Sequence, residues 1–201
     1  MRMKLATATV VLGVTLVFGG AGCESKKTAP APSPPTDASS PASSARGGGR
    51  GPAVAAKSAL VGAAAPDVPL PLHDGSVISL SALKGKYVVL YFYPKDDTPG
   101  CRVEAQSFRD QYDALTRAGV KVFGVSMQSA TSHQVFIDKE RLPFALVVDD
   151  GHIAKAFGVP VLGEFASRQT ILIAPDGTVK KVWRNVSPDG HAKEVLAAVT
   201  Q

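Results

Sequence analysis

The chain has 201 residues, 45% of them hydrophobic and 19% charged, enough for one core of moderate size and cramped for two. Its formal charge of +5 shows no interleaving of basic with aromatic residues, which argues against a nucleic-acid surface. The four histidines, at 73, 133, 152 and 191, have no metal-ligand spacing with each other or with the cysteines at 23 and 101, so neither a metal nor another cofactor is expected.

The chain opens on a short basic segment, Arg2 and Lys4, followed by an apolar run from Leu5 to Phe18 and by Gly19-Gly20-Ala21-Gly22 just before Cys23. Such an order is that of an export signal. Three readings fit it: a lipoprotein signal over residues 1–22 with Cys23 lipidated, a signal cleaved without lipid, and an uncleaved membrane anchor. Small residues running up to a cysteine resemble a bacterial lipobox, although Gly20 stands where that motif usually has Leu; the lipoprotein reading comes first. The uncharged run from Leu5 to Cys23 is 19 residues, near the lower length for a span, and its glycines make a poor membrane helix. All three readings export the rest of the chain, and the first anchors it to a bacterial membrane, facing the periplasm or the cell exterior. Residues 23–59 are rich in Pro, Ser and Gly and have little apolar surface to bury, which predicts a disordered tether. Its typical reach is about 30 to 35 Å.

The globular part is expected over residues 60–201. Val68 to Leu72, the turn His73-Asp74-Gly75, and Val77 to Leu80 read as a small N-terminal β-hairpin, whose prolines at 69 and 71 belong on an edge strand. Ser79 to Leu83 reads as a short helical turn ended by Gly85. Tyr87 to Tyr93 is seven apolar or aromatic residues without alternation, the pattern of a strand buried on both faces of a mainly parallel sheet. Pro94 stops it. Thr98 then suits a helix N-cap and Pro99 the first helical position, which puts Cys101 in the first turn. A helix N-terminus favours the thiolate, the reactive form of cysteine.

This helix is predicted to run from Thr98 to Ala118, with Phe108, Tyr112 and Leu115 as its inward stripe and Gly119 as its stop. Val120 to Ser126 reads as a strand, Ser132 to Arg141 as a helix with Val135 and Phe136 inward, and Phe144 to Val148 as a further strand. A short helix over Ile153 to Phe157 precedes a second hairpin, Gln169 to Ala174 and Thr178 to Arg184, turning at Pro175-Asp176-Gly177. Asp189 to Val199 closes the chain as an amphipathic helix. The alternation of strand and helix predicts an α/β fold with a mixed central sheet flanked by helices. In such sheets reactive groups gather beyond the C-terminal ends of parallel strands, where Cys101 falls.

The stretch Tyr93-Pro94-Lys95-Asp96-Asp97-Thr98-Pro99-Gly100-Cys101 resembles the reactive-cysteine signature of peroxiredoxins, in the subfamily called bacterioferritin comigratory protein or peroxiredoxin Q. Glu104-Ala105, Phe108-Arg109-Asp110, Ser132-His133, Phe136, Leu142-Pro143-Phe144 and Ser167-Arg168-x-Thr170 extend the likeness over about residues 60–200. It implies a thioredoxin-like fold and a thiol peroxidase. Cys101 attacks a hydroperoxide, Thr98 offers its hydroxyl, and Arg168 favours the thiolate and orients the substrate. Gly100 and Cys101 offer backbone N–H groups, and Pro94 and Pro99 shape the pocket. Glu104 would hold a pocket residue or lie on a solvated face, Arg102 would point outward, and His133 would cap a helix or bond at the surface.

One departure is informative. Two-cysteine members of the subfamily carry a resolving cysteine five residues after the first, and here that position is Gln106. A one-cysteine cycle follows, in which an external thiol, small or carried by a thioredoxin-like protein, reduces the Cys101 sulfenic acid. A dithiol oxidoreductase would need Cys-x-x-Cys, and the window here is Thr98-Pro99-Gly100-Cys101. The alternative from another class is a membrane-tethered redox sensor or holdase, oxidised once without efficient turnover.

Overall fold

A computed structural model of the protein describes residues 60–201; the expected export signal, Cys23 and the expected tether lie outside them. The centre is a five-stranded sheet in the order β5-β4-β3-β8-β9. Its strands are β3 (Tyr87–Phe92), β4 (Val120–Ser126), β5 (Leu146–Val148), β8 (Gln169–Ile173) and β9 (Val179–Trp183). β3 pairs parallel with β4, and β4 with β5, while β3–β8 and β8–β9 are antiparallel, so the sheet is mixed as expected. The apolar run of β3 reflects its central place: Val88 to Phe92 are all buried.

Alternation along β3 divides the core in two. Val88, Leu90 and Phe92 face one layer with Leu70, Leu72, Phe123, Ile153 and Phe157. Val89 and Tyr91 face the other with Cys101, Phe108, Leu115, Phe136, Leu146 and Val195. The helices α1 (Pro99–Asp110), α2 (Tyr112–Arg117), α3 (Ala130–Glu140) and α5 (His191–Thr200) supply the second layer, and α4 (His152–Ala156) the first. The N-terminal hairpin forms as predicted from β1 (Pro69–Pro71) and β2 (Val77–Ser79) and is followed by a 3-10 turn, Leu80–Leu83. It is tied to the sheet by the His73 N–H donating to the Leu146 carbonyl at 2.9 Å.

Three expectations need correction. The helix predicted over Thr98 to Ala118 is two helices, interrupted at Gln111 with ψ of 3°. Val135 is 62% exposed rather than inward, because the buried stripe of α3 is His133, Phe136 and Glu140, spaced by three and four residues. His133 accordingly lies in the interior and not at the surface. A further small hairpin, β6 (Val161–Leu162) with β7 (Phe165–Ala166), was not expected; two-residue strands are too short to show a periodicity. No helix among the described residues is long and apolar enough to cross a membrane.

Candidate active site

β3 ends at Phe92, and the loop from Tyr93 to Thr98 carries the chain into α1. Thr98 has the extended backbone of an N-cap, with φ −79° and ψ 150°, and Pro99 takes the first helical position. The Thr98 hydroxyl does not cap the helix. It donates to the Lys95 carbonyl at 3.2 Å and so holds the loop to itself. That leaves the N–H groups of Gly100 and Cys101 without a side-chain cap, pointing outward from the helix end as donors for a ligand.

Cys101 is 1% exposed, with its sulfur at this helix end. Arg168, just before β8, reaches it: Nη2 donates to Sγ at 3.2 Å. Thus the two residues that the signature ties together, 67 positions apart, do meet. Nη1 of the same guanidinium donates to Glu104 Oε2. Glu104 is fully buried one helical turn after Cys101, so one arginine spans the carboxylate and the sulfur. Of the two readings open for Glu104, holding a pocket residue is the one observed.

Electrostatics around this trio are uneven. Burial pushes the Glu104 carboxyl up to about 7, against the pull of Arg168. Arg168, although burial opposes its charge, is held above its ordinary range by Glu104 and Cys101, and stays a cation. Gly100 gives the guanidinium room, since a Cβ there would come within 3.3 Å of Arg168 Nη2. Beside Arg168 opens a cleft of about 560 Å³ walled by Arg184, Asn185, Val186 and Ser187. Pro94 is half-buried and Pro99 exposed, at the rim of the loop. Arg102 points away from the sulfur, 3.7 Å from Asp97 and 3.9 Å from Glu140. Gln106, at the position of the absent second cysteine, donates to Glu140 Oε2 at 2.7 Å and ties α1 to α3.

Sequence reasoning missed the polar groups behind the loop. Asp96 is buried and accepts hydrogen bonds from Tyr93, Ser132 and His133. The available signal was the spacing of His133 three residues before Phe136, which places the ring on the inward stripe. Among the described residues no group of three or more His, Cys, Asp or Glu could hold a metal ion.

A buried cysteine at a helix N-terminus, touched by a guanidinium and backed by free N–H groups, suits attack on a neutral oxygen–oxygen bond with donors at hand for the leaving oxygen. Comparison with known proteins agrees. The AhpC/TSA family profile matches residues 61–182. The peroxiredoxin Bcp of Bacillus subtilis is 41% identical over 146 residues, covering 68% of this chain and 92% of its own length. The chloroplastic peroxiredoxin Q of Triticum aestivum is 42% identical over 142 residues, covering 69% of this chain; the match spans 65% of that protein. Among solved structures, the bacterioferritin comigratory protein of Xanthomonas campestris, studied for its alkyl peroxide reduction, superposes with a TM-score of 0.63 at 38% identity, over 66% of this chain and 90% of that one. The chain therefore belongs to the AhpC/TSA family, its relatives are peroxiredoxins of the bacterioferritin comigratory and Q type, and its activity is that of a thiol peroxidase.

Proposed function

We propose that Cys101 is the sulfur that reduces the peroxide and that the enzyme cycles with this one cysteine. The observation that carries this is the contact of Arg168 Nη2 with Cys101 Sγ, 3.2 Å, at the N-terminus of α1. In the first half-reaction the Cys101 thiolate attacks the terminal oxygen of a hydroperoxide. The S–O bond forms as the O–O bond breaks, and the leaving oxygen takes a proton and departs as water or an alcohol. Arg168 and the N–H groups of Gly100 and Cys101 carry the charge that develops on the oxygens; the Thr98 hydroxyl, which donates to the Lys95 carbonyl, would have to turn from it to join them. Pro94 and Pro99 line the approach.

In the second half-reaction an external thiol attacks the sulfenic sulfur, water leaves, and a mixed disulfide forms. A second thiol then displaces Cys101 as thiolate and leaves as the disulfide. Hydrogen peroxide and organic hydroperoxides both fit a site that addresses only the two oxygens. Full-length protein with dithiothreitol should consume peroxide over many turnovers, and Cys101→Ser should abolish this. A single stoichiometric oxidation without turnover would instead favour a sensor.

For residues 1–59 the support is sequence alone. We propose that residues 1–22 direct export and that Cys23 is lipidated, tethering the enzyme to a bacterial membrane. Cells fed a radioactive fatty acid should label the wild type and not Cys23→Ala; label in both, or in neither, would remove the lipid anchor.

A further inference from the structure

Behind the loop that carries Pro94 and Thr98 lies a buried polar cluster that the peroxide chemistry leaves unused. Asp96 is 7% exposed and His133 not at all. The Asp96 carboxylate accepts from the Tyr93 hydroxyl at 2.7 Å, the Ser132 hydroxyl at 2.6 Å and His133 Nδ1 at 2.9 Å. On its other side, His133 Nε2 lies 3.2 Å from the Val147 carbonyl oxygen in β5. The carboxylate only accepts, so Nδ1 carries the proton that the ring donates to Asp96. The imidazole is a strut between the β3–α1 loop and the sheet.

The loop needs one. Asp97 has φ 58°, a backbone region that residues other than glycine rarely adopt and that persists where the surroundings impose it. Its own carboxylate is 2.7 Å from Lys139, but that pair is about half exposed and screened by water. The bonds to Asp96 from Tyr93 and His133 are buried, where each counts for more, and that from Ser132 is partly so. Burial alone would raise the Asp96 carboxyl; the hydrogen bonds from His133, Ser132 and Tyr93 outweigh it and hold the group below its ordinary range. Asp96 stands midway between Pro94 and Thr98, so whatever fixes its carboxylate fixes the loop.

We propose that Asp96 and His133 are positioning residues of the peroxidase. They hold the loop from Tyr93 to Thr98 in the shape that sets the start of α1, and with it the Gly100 and Cys101 N–H groups, at the sulfur. Neither touches the peroxide. The proposal rests on Cys101 being the reacting sulfur, and misplacing donors by about 1 Å is enough to cost on the order of 100-fold in rate.

The test compares two reactions of the same sulfur in the full chain, below the melting transition. One is the rate of Cys101 oxidation by hydrogen peroxide, read by rapid-quench mass spectrometry; the other is its alkylation by iodoacetamide at neutral pH, which needs the thiolate but no peroxide geometry. In Asp96→Asn and His133→Gln, peroxide oxidation should fall about 10- to 100-fold while alkylation stays within about twofold. Asp149→Asn serves as the control. That carboxylate is buried too, accepting from the N–H groups of Gly151, Ile153 and Ala154, but at the start of α4; its loss should leave the peroxide rate unchanged.

An unchanged peroxide rate in folded Asp96→Asn and His133→Gln, or an equal fall in Asp149→Asn, overturns the proposal. Should the first two variants fail to fold, Ser132→Ala removes a single bond to Asp96 and decides alone: an approximately threefold or larger fall supports the strut, and none rejects it. Cys101→Ser separates the layers. If it still reacts with peroxide, the function assigned to Cys101 fails first; if it does not, the outcome with Asp96 and His133 bears on the strut only.

Discussion

Arg168 holds two partners with one guanidinium, and they want different things of it. Towards Cys101 it supplies charge at 3.2 Å, and towards Glu104 it compensates a carboxylate that is fully buried. Replacing it with methionine removes a fixed donor from the place where charge develops, and peroxide reduction should drop by roughly 100- to 1000-fold in a kcat/KM measurement. A drop of less than about tenfold would mean the N–H groups do the work without it. Glu104 gives a pH signature of the same pair. Unfolded, its carboxyl titrates near 4.5, and folded near 7, because burial outweighs the pull of Arg168. Between those values the folded chain keeps a proton that the unfolded chain has lost, so stability falls as pH rises through this window and is flat above it. At roughly 1.4 kcal/mol per pKa unit the change is about 1 to 3 kcal/mol. Glu104→Gln has no such proton to lose. Urea unfolding of both proteins from pH 4.5 to 8 should show the gap between them changing across that window, and parallel curves would reject the buried carboxyl as its source.

Among the elements, the sheet is held at one close approach on the Cys101 side. Gly124 in β4 sits between Tyr91 of β3 and Leu146 of β5 in the register, and a Cβ there would come within 2.6 Å of the Tyr91 ring and hydroxyl and of Leu146 Cδ2. Tyr91 cannot yield easily, since it is stacked on Phe108 of α1 at 4.7 Å between ring centroids and on Tyr93 at 5.5 Å. Gly124→Ala should therefore destabilise by about 1 to 3 kcal/mol and shift Cys101 through α1, which thermal unfolding and a peroxide assay would both register. A variant as stable as the wild type would show that Tyr91 has room to move. Elements of this kind were legible where pattern and burial coincide. β4 runs from Val120 to Ser126, as its apolar run predicts, and the β3 run is central for the reason its lack of alternation suggested. Val135 misled because it neighbours Phe136 in sequence, while burial in α3 follows the three-and-four spacing through His133, Phe136 and Glu140. Gln111 carries no glycine or proline to announce the break between α1 and α2. The contact of Arg168 with Cys101 had no local signal at all. It is made by the antiparallel pairing of β3 with β8, and before the structure it rested on family resemblance alone.

For the molecule as a whole, the question is where the second sulfur comes from. Cys101 is the one cysteine of residues 60–201, and Gln106 is engaged with Glu140, so this domain holds no partner thiol. Cys23 is the other cysteine of the chain, 78 positions away. Distance alone does not forbid a loop of that size, because closure entropy grows only with the logarithm of length, by about 0.6 kcal/mol per doubling. What opposes it is the lipidation: a lipidated Cys23 would have no free thiol to offer, whereas an external thiol has one. The one-cysteine cycle therefore makes a prediction about the full chain. Cys23→Ala should consume peroxide with dithiothreitol at the wild-type rate. After one equivalent of peroxide without reductant, both proteins should carry a sulfenic acid at Cys101, trapped by dimedone, with excess peroxide driving it on to the sulfinic acid. A Cys23–Cys101 disulfide in the wild type, with turnover lost in Cys23→Ala, would make Cys23 the resolving residue and the segment that carries it a working part of the enzyme.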